Sequence, residues 1–435
     1  MATITDLPSE LLIDTFAYLD RLDLKAVRGV CRRFAEISTP SIFQRVLVAP
    51  RYQALGAFQT IFQHAVYHKY VKEIVYDGSV YDAGLATNEQ VYMAHLSRAE
   101  CDAYRLDSWG RRKRFKQYQQ LYHDQEGIQD SLILFRTLER GLESLPNVTT
   151  ITYSPGPRNV PIEKKEAKDI LPRGEPHSTP SFGGSEGIVQ QCSHRGFHYL
   201  IGALALVKYS GIRTFRVEAA DRPSEPQGTI FTSYAFELPD QAQLQAGLHL
   251  FSTLHNLDLP LSLAILGTSS SIPSHLTALR GLLRGAKELR TLSLHLHKWH
   301  PSPQSWAPNT SAVSLVLGKT TTWPHLRFLS LGGVHASAQE LVDLALRHAS
   351  TLREVRYSRC SLIEGKWSDV VDSILRTTHI DSFEISKVHE AVVGSRIFAH
   401  LSEAEMREFT YSGQLQVGAG GERYYVPSPG HRSVY

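Results

Sequence analysis

The sequence predicts an α/β protein in which a unit of three short helices precedes a solenoid of alternating strands and helices. Three observations predict it. Apolar residues recur at helical spacing in the first fifty positions, a six-residue apolar pattern recurs nine times after them, and amphipathic helical segments separate several copies. Segments of different composition interrupt the array, so we expect an irregular solenoid with helical and disordered insertions.

Size and composition indicate a globular protein with more than one unit. The chain has 435 residues, of which 42% are hydrophobic and 20% are charged. Its net charge of +3 is too small to imply binding to nucleic acid or membranes through bulk electrostatics. No apolar run approaches a bilayer span, and acidic residues interrupt the N-terminal stretch where a signal peptide would lie. The four cysteines are scattered, so we expect reduced thiols in an intracellular protein.

The first fifty residues contain the signals of three helices. Pro8 suits a helix start, Asp23 can cap a second helix, and Thr39-Pro40 is a typical start for a short third helix. The apolar positions of the first two helices are Leu11, Leu12, Phe16, Leu19, Leu24, Val27, Val30, Cys31 and Phe34. So small a unit cannot bury all of this apolar surface within itself, so we expect a partner to cover part of it.

These residues resemble an F-box. The matching segments are Leu7-Pro8-Ser9-Glu10-Leu11-Leu12, Leu19, Asp23-Leu24, Val30-Cys31-Arg32-Arg33-Phe34 and Phe43. The departures are mild. Phe43 stands where a tryptophan is common, and Gly29 is expected inside the second helix, where it costs about 1 kcal/mol relative to alanine.

The resemblance implies a binding role. In that family the three helices bind the Skp adaptor, which in turn binds the cullin scaffold of a ubiquitin ligase. The adaptor-binding and supporting core positions that it implies are Leu7, Pro8, Leu11, Leu12, Phe16, Leu24, Val30, Cys31 and Phe34. The chain is then a non-catalytic receptor, and a separate conjugating enzyme transfers ubiquitin.

A pattern of apolar, two variable, apolar, one variable and apolar residues recurs along the rest of the chain. Its nine copies begin at Val71, Val148, Ile212, Leu254, Leu289, Leu326, Leu352, Ile380 and Met406. The last four starts are 26, 28 and 26 residues apart, whereas the earlier spacing is uneven and requires insertions. The array resembles the irregular leucine-rich repeats that many F-box proteins carry. Ordinary amphipathic strands of an α/β domain are the alternative, because so short a pattern often arises by chance.

Helices are predicted between several copies. Ser337 and Glu340 form a capping box ahead of an apolar stripe. Ser368 or Asp369 can start another helix, and helices also fit residues 54–67 and 276–283.

The repeat pattern also predicts a target-binding face. In each copy the second and third apolar residues face the core, so the alternation of a strand sends their neighbours to the opposite face. In a solenoid those neighbours line the concave sheet, which such proteins offer to partners. The target-binding residues that we expect there are Arg216, His295, Phe328, Arg356 and Glu384. We expect Phe328 to be an exposed anchor and the arginines to pair with acidic or phosphorylated groups.

Composition predicts the domain boundaries. We expect an F-box over residues 1–50, an irregular repeat domain over residues 51–412 and a C-terminal tail over residues 413–435. Within the repeat domain, a mostly helical insertion is expected over about residues 80–145. A flexible loop is expected over about residues 154–187, where prolines and glycines are too dense for a packed core.

Two motifs suggest other functions. His295-x-His297-x-x-His300 places two imidazoles on one strand face, and a metal-dependent hydrolase is the remote alternative, but no acidic residue lies nearby to complete a site. The basic run Arg111–Lys116 indicates a solvated helix face, and nuclear import is the function that fits it best. No nucleotide-binding loop or nucleophile motif is present, so we expect no catalytic residue, metal or cofactor.

The resemblance therefore implies that the chain is the substrate-recognition subunit of a Skp–cullin–F-box ubiquitin ligase in the cytoplasm, the nucleus or both. The F-box docks on the adaptor while the repeat domain holds a target protein. Ubiquitin transfer is then faster because the target is held at a high effective concentration near the conjugating enzyme. An F-box adaptor that acts outside any ligase is the alternative among binding proteins. We expect no nucleic-acid or membrane partner.

Overall fold

The computed structural model describes residues 4–78, 81, 83–98, 107–154, 195–207, 210–218, 231–238, 240–263, 272–298, 311–390, 413–417 and 423–427. These residues form two compact units that combine helices with strands. Unit 1 holds the described residues up to Ile212 together with Glu218, and unit 2 holds Arg213–Val217 and the described residues from 231 onward. The predicted loop at about residues 154–187 lies outside the described residues except for Ser154, and so does the repeat copy that begins at Met406.

Beyond the first three, the helices lie between strands, either singly or in succession. They are α1 (Ser9–Phe16), α2 (Arg21–Arg28), α3 (Arg32–Phe43), α4 (Tyr52–Gln63), α5 (Ala83–Thr87), α6 (Glu89–Arg98), α7 (Ser108–Asp130), α8 (Ile133–Ser144), α9 (Arg195–Val207), α10 (Gln241–Ser252), α11 (Ser274–Gly285), α12 (Ala312–Val316), α13 (Ala338–Leu346) and α14 (Trp367–Thr377). Short 3-10 helices span Ile4–Asp6, Tyr67–Lys69 and Ser233–Phe236. Among the described helices, none has both the length and the apolar character needed to cross a membrane.

The strands are mostly short. They are β1 (Arg45–Val48), β2 (Glu73–Asp77), β3 (Thr150–Ser154), β4 (Thr214–Val217), β5 (Asn256–Leu263), β6 (Thr291–Lys298), β7 (Phe328–Gly332), β8 (His335–Ser337), β9 (Glu354–Ser358), β10 (Ser361–Glu364), β11 (Ser382–Ser386), β12 (His389–Glu390), β13 (Gly413–Val417) and β14 (Arg423–Pro427).

Three N-terminal helices are present as predicted, but the boundary of the second one differs. Asp20 caps α2, because its carboxylate accepts hydrogen bonds from the backbone N–H groups of Leu22 and Asp23. The expected cap, Asp23, lies inside the helix. Gly29 follows the last residue of α2 instead of lying within it, so its cost as a mid-helix glycine does not arise.

The third helix is longer than predicted and begins earlier. The thiol of Cys31 caps α3 by accepting a hydrogen bond from the backbone N–H of Phe34 at 3.4 Å. Pro40 therefore lies inside α3 and not at its start. The hydroxyl of Thr39 donates to the carbonyl of Ala35 at 2.6 Å. Phe34, which was assigned to the second helix, is in the first turn of α3.

Strands of unit 1 are parallel and follow chain order. β1 pairs with β2, and β2 pairs with β3. Helix α4 connects β1 to β2, and the four helices α5–α8 lie between β2 and β3. Most of the described residues between positions 80 and 145, the segment predicted to be a mostly helical insertion, lie in α5–α8.

Unit 2 contains a parallel sheet whose strands also follow chain order. Its parallel pairs are β4–β5, β5–β6, β6–β7, β7–β9 and β9–β11. Two antiparallel strands, β13 and β14, extend the sheet beyond β11, within the predicted C-terminal tail. Since parallel neighbours in chain order require every connection to run the same way, the arrangement is compatible with a solenoid.

A second, three-stranded parallel sheet joins β8, β10 and β12. Each of these strands follows a strand of the main sheet after two residues, and the first of those two residues has a left-handed backbone. The φ angles are 62° at Gly333, 52° at Arg359 and 50° at Lys387. Because a left-handed conformation is uncommon outside glycine, its recurrence at one position shows that the repeat copies that begin at Leu326, Leu352 and Ile380 share a backbone design.

The repeat pattern identified strands correctly. Eight of its nine copies coincide with strands of the main sheets, and the ninth lies outside the described residues. All three apolar residues of each of those eight copies are buried. The pattern also occurs at Phe43-Gln44-Arg45-Val46-Leu47-Val48, where it covers β1, a strand that was not predicted because Phe43 was assigned to the helical unit alone.

Several helix predictions hold. The capping box is formed, because the hydroxyl of Ser337 accepts from the backbone N–H of Glu340 while the carboxylate of Glu340 accepts from the backbone N–H of Ser337. Residues 276–283 lie within α11, and α14 begins at Trp367, one residue before the predicted start. Helix α4 is shorter than residues 54–67, because it ends at Gln63.

A buried histidine in unit 2 makes stability depend on pH. The backbone N–H of Trp323 donates to Nε2 of His348 at 3.0 Å, and Nδ1 of His348 lies 2.8 Å from the carbonyl oxygen of Leu344. Nε2 must therefore be unprotonated. Burial lowers the pKa of His348 below its ordinary value, the hydrogen bond to Leu344 opposes this, and the charge of Arg347 lowers the pKa further.

We predict that unit 2 loses stability as the pH falls below about 6.5, where the unfolded histidine binds a proton that the folded one resists. The urea midpoint of the tryptophan fluorescence transition should fall between pH ~7.5 and pH ~5.5. It should fall less in His348→Gln, which keeps a donor and an acceptor without titrating. The control is the exposed His379→Gln, which should keep the full pH dependence. An equal pH dependence in all three proteins contradicts the assignment.

Candidate functional site

The first three helices enclose a small core. Its buried members are Leu12, Phe16, Leu24, Phe34 and Ile42. The rings of Phe16 and Phe34 meet edge to face, with their centroids 5.3 Å apart. Four of the predicted adaptor-binding residues belong to this core, so in this conformation they hold the helices together and present little surface to a partner.

The remaining predicted adaptor-binding residues lie at the surface of the same helices. Leu7, Leu11 and Val30 are 37%, 51% and 65% exposed, Pro8 is also exposed, and Cys31 is half-buried. Between residues 4 and 43 the sequence pattern did not single out four further exposed large hydrophobic residues, which are Ile4, Ile13, Tyr18 and Leu22. Three short helices thus leave much of their apolar surface in water, and this is the surface that a partner would bury.

Arg33 fixes the segment that carries Leu7 and Pro8. Its guanidinium donates to the carbonyl oxygens of Thr5 and Leu7, both at 2.6 Å, and to the hydroxyl of Ser9 at 3.3 Å. These bonds tie the residues before α1 to α3. Arg33 was part of the matched motif, but sequence reasoning assigned it no role, because its partners are mainly backbone carbonyls that no residue pattern reveals.

An aromatic stack anchors the helices to the rest of unit 1. Phe43 stacks on Tyr67 with ring centroids 4.0 Å apart, and Tyr67 stacks on His64 at 3.6 Å. The guanidinium of Arg28 lies 5.7 Å from the ring of Phe43 and donates to the hydroxyl of Tyr67 at 2.7 Å. Phe43 therefore serves two structures, since it ends α3 and also starts the first copy of the repeat pattern.

The comparison with protein families agrees with this geometry. The model of the F-box-like family matches residues 4–49. Residues 4–49 are an F-box-like domain. The match covers the 3-10 helix, the three helices and β1, which are also the elements that the resemblance and the core described above involve.

Other comparisons add little. Among curated proteins, none matches the chain. A chain in the crystal structure of the Rad7 and Elc1 complex of yeast aligns with 92% of this chain and 90% of its own length, at 11% identity and a TM-score of 0.25. A similarity of that degree carries no argument about fold or function.

In unit 2 the strand register aligns the predicted target-binding positions into rows. Hydrogen-bonded pairing places Arg216 beside Asp258, Ser330 beside Arg356, and Arg356 beside Glu384. One row away, Phe328 lies between Thr291 and Glu354. Because a parallel sheet in register stacks equivalent positions, residues that are far apart in the sequence form one continuous surface, which we call the polar face of unit 2.

Phe328, Arg356 and Glu384 lie together on this face. The guanidinium of Arg356 lies 5.1 Å from the centroid of the Phe328 ring. Nε of Arg356 lies 3.4 Å from a carboxylate oxygen of Glu384, and its Nη2 lies 4.0 Å from one of Glu354. Arg356 partly covers the phenylalanine, so Phe328 is half-buried and not the freely exposed anchor that the sequence predicted.

Arg216 and His295 lie elsewhere on the polar face. Arg216 is exposed on β4, four strands from Arg356, which corresponds to about 19 Å at the usual strand spacing. The imidazole of His295 lies against the backbone of Gly332, where any larger residue would collide with it. The predicted set therefore divides into one cluster and two separate residues.

The two alternative motifs gain no support from the described structure. The side chain of His297 and all of His300 lie outside the described residues. Within the described part of the chain, no group of three or more histidine, cysteine or acidic side chains is placed to hold a metal ion. The basic run lies on α7, where Phe115 is buried among Tyr92 and Tyr118 while most of the charged residues are exposed, so it is a solvated helix face as predicted.

We predict that Arg33→Ala releases the segment before α1. Loss of the guanidinium removes three hydrogen bonds, so backbone amides of residues 4–7 should exchange with deuterium at least about tenfold faster. Amides of the α1–α3 core should change much less. The matched control is Arg32→Ala, because Arg32 is 94% exposed and pairs only with Glu36 on its own helix. Similar exchange rates in the two variants would show that Arg33 does not hold this segment.

Proposed function

We propose that this chain is the substrate-recognition subunit of a Skp–cullin–F-box ubiquitin ligase. The observation that carries the proposal is an F-box-like domain whose apolar side chains at Leu7, Leu11 and Val30 remain exposed. F-box domains bind adaptor subunits of cullin ligases, and exposed apolar side chains on rigid helices are the anchors that such an interface buries.

The adaptor interface divides its residues by role. Leu7, Pro8, Leu11 and Val30 make the direct contacts. The buried residues Leu12, Phe16, Leu24 and Phe34 act indirectly, because they set the angles between the helices. The thiol of Cys31 caps α3 and so fixes the turn next to Val30.

Target recognition is assigned to the polar face of unit 2. We take the array to be an irregular leucine-rich repeat, and the support for this is the buried three-residue pattern together with parallel strands in chain order. Phe328, Arg356 and Glu384 form the central cluster, and Arg216 and His295 contribute at a distance from it. The aromatic and arginine side chains are the residue types that dominate binding energy in interfaces.

The mechanism is positional. The F-box-like domain holds the chain on an adaptor and cullin scaffold, while unit 2 holds the target. The lysines of the target are thereby kept at a high effective concentration near a conjugating enzyme that carries ubiquitin. Catalysis belongs to that enzyme. Such a complex would act in the cytoplasm, the nucleus or both.

We predict that Leu11→Asp with Val30→Asp abolishes co-purification with the Skp adaptor. Burying two unpaired carboxylates in the interface should weaken binding at least about a hundredfold. Both positions are exposed, so the melting temperature should not change. Leu12 is unsuitable for this test, because it is fully buried and its replacement would disturb folding.

The matched control for the adaptor test is Val66→Asp with Val91→Asp, which replaces two exposed valines of unit 1 outside the F-box-like domain. It should bind the adaptor normally. Adaptor binding that survives Leu11→Asp with Val30→Asp overturns the F-box assignment. Co-purification with the adaptor but never with a cullin would favour action outside a ligase.

We predict that Phe328→Ala with Arg356→Ala reduces target capture at least about tenfold while adaptor binding and melting temperature stay unchanged. Crosslinked partners of both proteins are compared by quantitative mass spectrometry. The control is Leu346→Ala with Arg376→Ala, which removes an exposed apolar residue and a cation from the helices of unit 2. Capture that survives the first pair of changes but fails after substitutions in α5–α8 would place the target site in unit 1.

A further inference from the structure

Unit 2 carries basic side chains at one repeated position that the predicted binding face does not include. The position follows the first apolar residue of each repeat copy and precedes the strand. It is occupied in five successive copies by Arg213, His255, Arg290, Arg327 and Arg353, and these five residues are called the basic row below. In the next copy Asp381 occupies the same position and ends the row.

Backbone hydrogen bonds hold the basic row in line. The N–H of His255 donates to the carbonyl of Arg213 at 2.7 Å, and that of Arg290 donates to the carbonyl of His255 at 2.7 Å. The bonds from Arg327 to Arg290 and from Arg353 to Arg327 are both 2.8 Å. The parallel ladder thus extends one residue ahead of the strands. At the usual strand spacing of about 4.8 Å, the row runs about 19 Å along the edge of the sheet.

Two arginines of the row are available to bind a ligand. Arg290 and Arg327 are exposed, and neither side chain has a hydrogen bond or an ion pair among the described residues. The guanidinium of Arg353 donates to the carbonyls of Leu352 at 2.9 Å and Ser350 at 3.2 Å, which orient its charge without neutralising it. The guanidinium of Arg213 donates to the carbonyl of Thr253 at 3.5 Å.

The charges of the row act on each other. Burial lowers the pKa of His255 below its ordinary value, and the positive charges of Arg290 and Arg213 lower it further against the opposing charge of Glu288. Like charges placed opposite each other on neighbouring strands are destabilising. The row therefore concentrates mutually repelling positive charge at the edge of the sheet.

We propose that the basic row binds an extended segment of a target protein that is rich in aspartate and glutamate. The proposal rests on the receptor role proposed above and assigns a partner chemistry to unit 2. An extended peptide that crosses the strand ends would place its carboxylates along the row. Guanidinium groups pair with carboxylates through charge-assisted, often bidentate hydrogen bonds.

The shape of the row favours such a peptide over a single phosphate group or a nucleic acid. The strand ladder spaces the charges evenly in single file, whereas a phosphate site gathers several donors at one point. Glu354 begins the strand that follows Arg353, and Glu288 and Asp381 also adjoin the row. They confine the basic row to a narrow strip, which matches a single extended chain better than the broad phosphate backbone of a nucleic acid.

The test is a binding measurement on the purified full chain. The probe is a fluorescein-labelled peptide of alternating glutamate and serine, about twelve residues long, followed by fluorescence anisotropy at low salt. Arg290→Gln with Arg327→Gln should weaken binding at least about tenfold, because each arginine contributes a charge-assisted hydrogen bond. The control is Arg284→Gln with Arg376→Gln, which removes the same charge from exposed positions on α11 and α14 and should change the affinity by less than about twofold.

Several results would overturn the proposal. They are the absence of binding to the glutamate peptide, equal weakening by both pairs of substitutions, and tighter binding of either a peptide with one phosphoserine and no carboxylates or a short oligothymidylate. Adaptor co-purification is scored on the same preparations. A protein that binds the adaptor but not the peptide contradicts the basic row alone, and one that binds the peptide but not the adaptor contradicts the receptor role alone.

Discussion

Burial of three apolar side chains per repeat copy is the constraint on which the rest of the structure depends. The first of them packs ahead of each strand, and the second and third alternate along it on the side that is buried. Because strand alternation has a period of two, a shift of one residue in any copy would move its apolar residues into water. Register is therefore strongly specified, and neighbouring copies stack in line even where the intervening segments differ greatly in length.

The same register creates the surfaces of unit 2. Once the buried positions are aligned, the positions between them are aligned as well, and the residues just ahead of the strands form another line. The polar face and the basic row are thus consequences of one ladder. Their chemistry differs, because Arg356 on the polar face is paired with Glu384 and covers Phe328, while Arg290 and Arg327 at the edge have exposed charges.

Unlike the repeat copies, the F-box-like domain leaves part of its apolar surface exposed. Three short helices bury five large apolar side chains but leave others in water, because a unit of this size has too little interior. Its geometry is instead fixed by contacts at its ends. Arg33 holds the segment before α1, and the stack of Phe43 on Tyr67 joins α3 to the 3-10 helix Tyr67–Lys69. An apolar surface whose backbone is held by such contacts loses little conformational entropy when a partner covers it.

The sequence by itself determined the elements whose signal is local periodicity. Helices α1–α3, eight strands and the capping box at Ser337 follow from spacing alone, because each depends on neighbours within a few positions. Only the tertiary structure decided which residues of the F-box motif are core and which are surface, and that Pro40 lies inside α3. It also decided the role of Arg33 and the grouping of Phe328, Arg356 and Glu384. Those outcomes depend on backbone carbonyls and on partners tens of residues away, and no pattern in the chain specifies such contacts until the strands are in register.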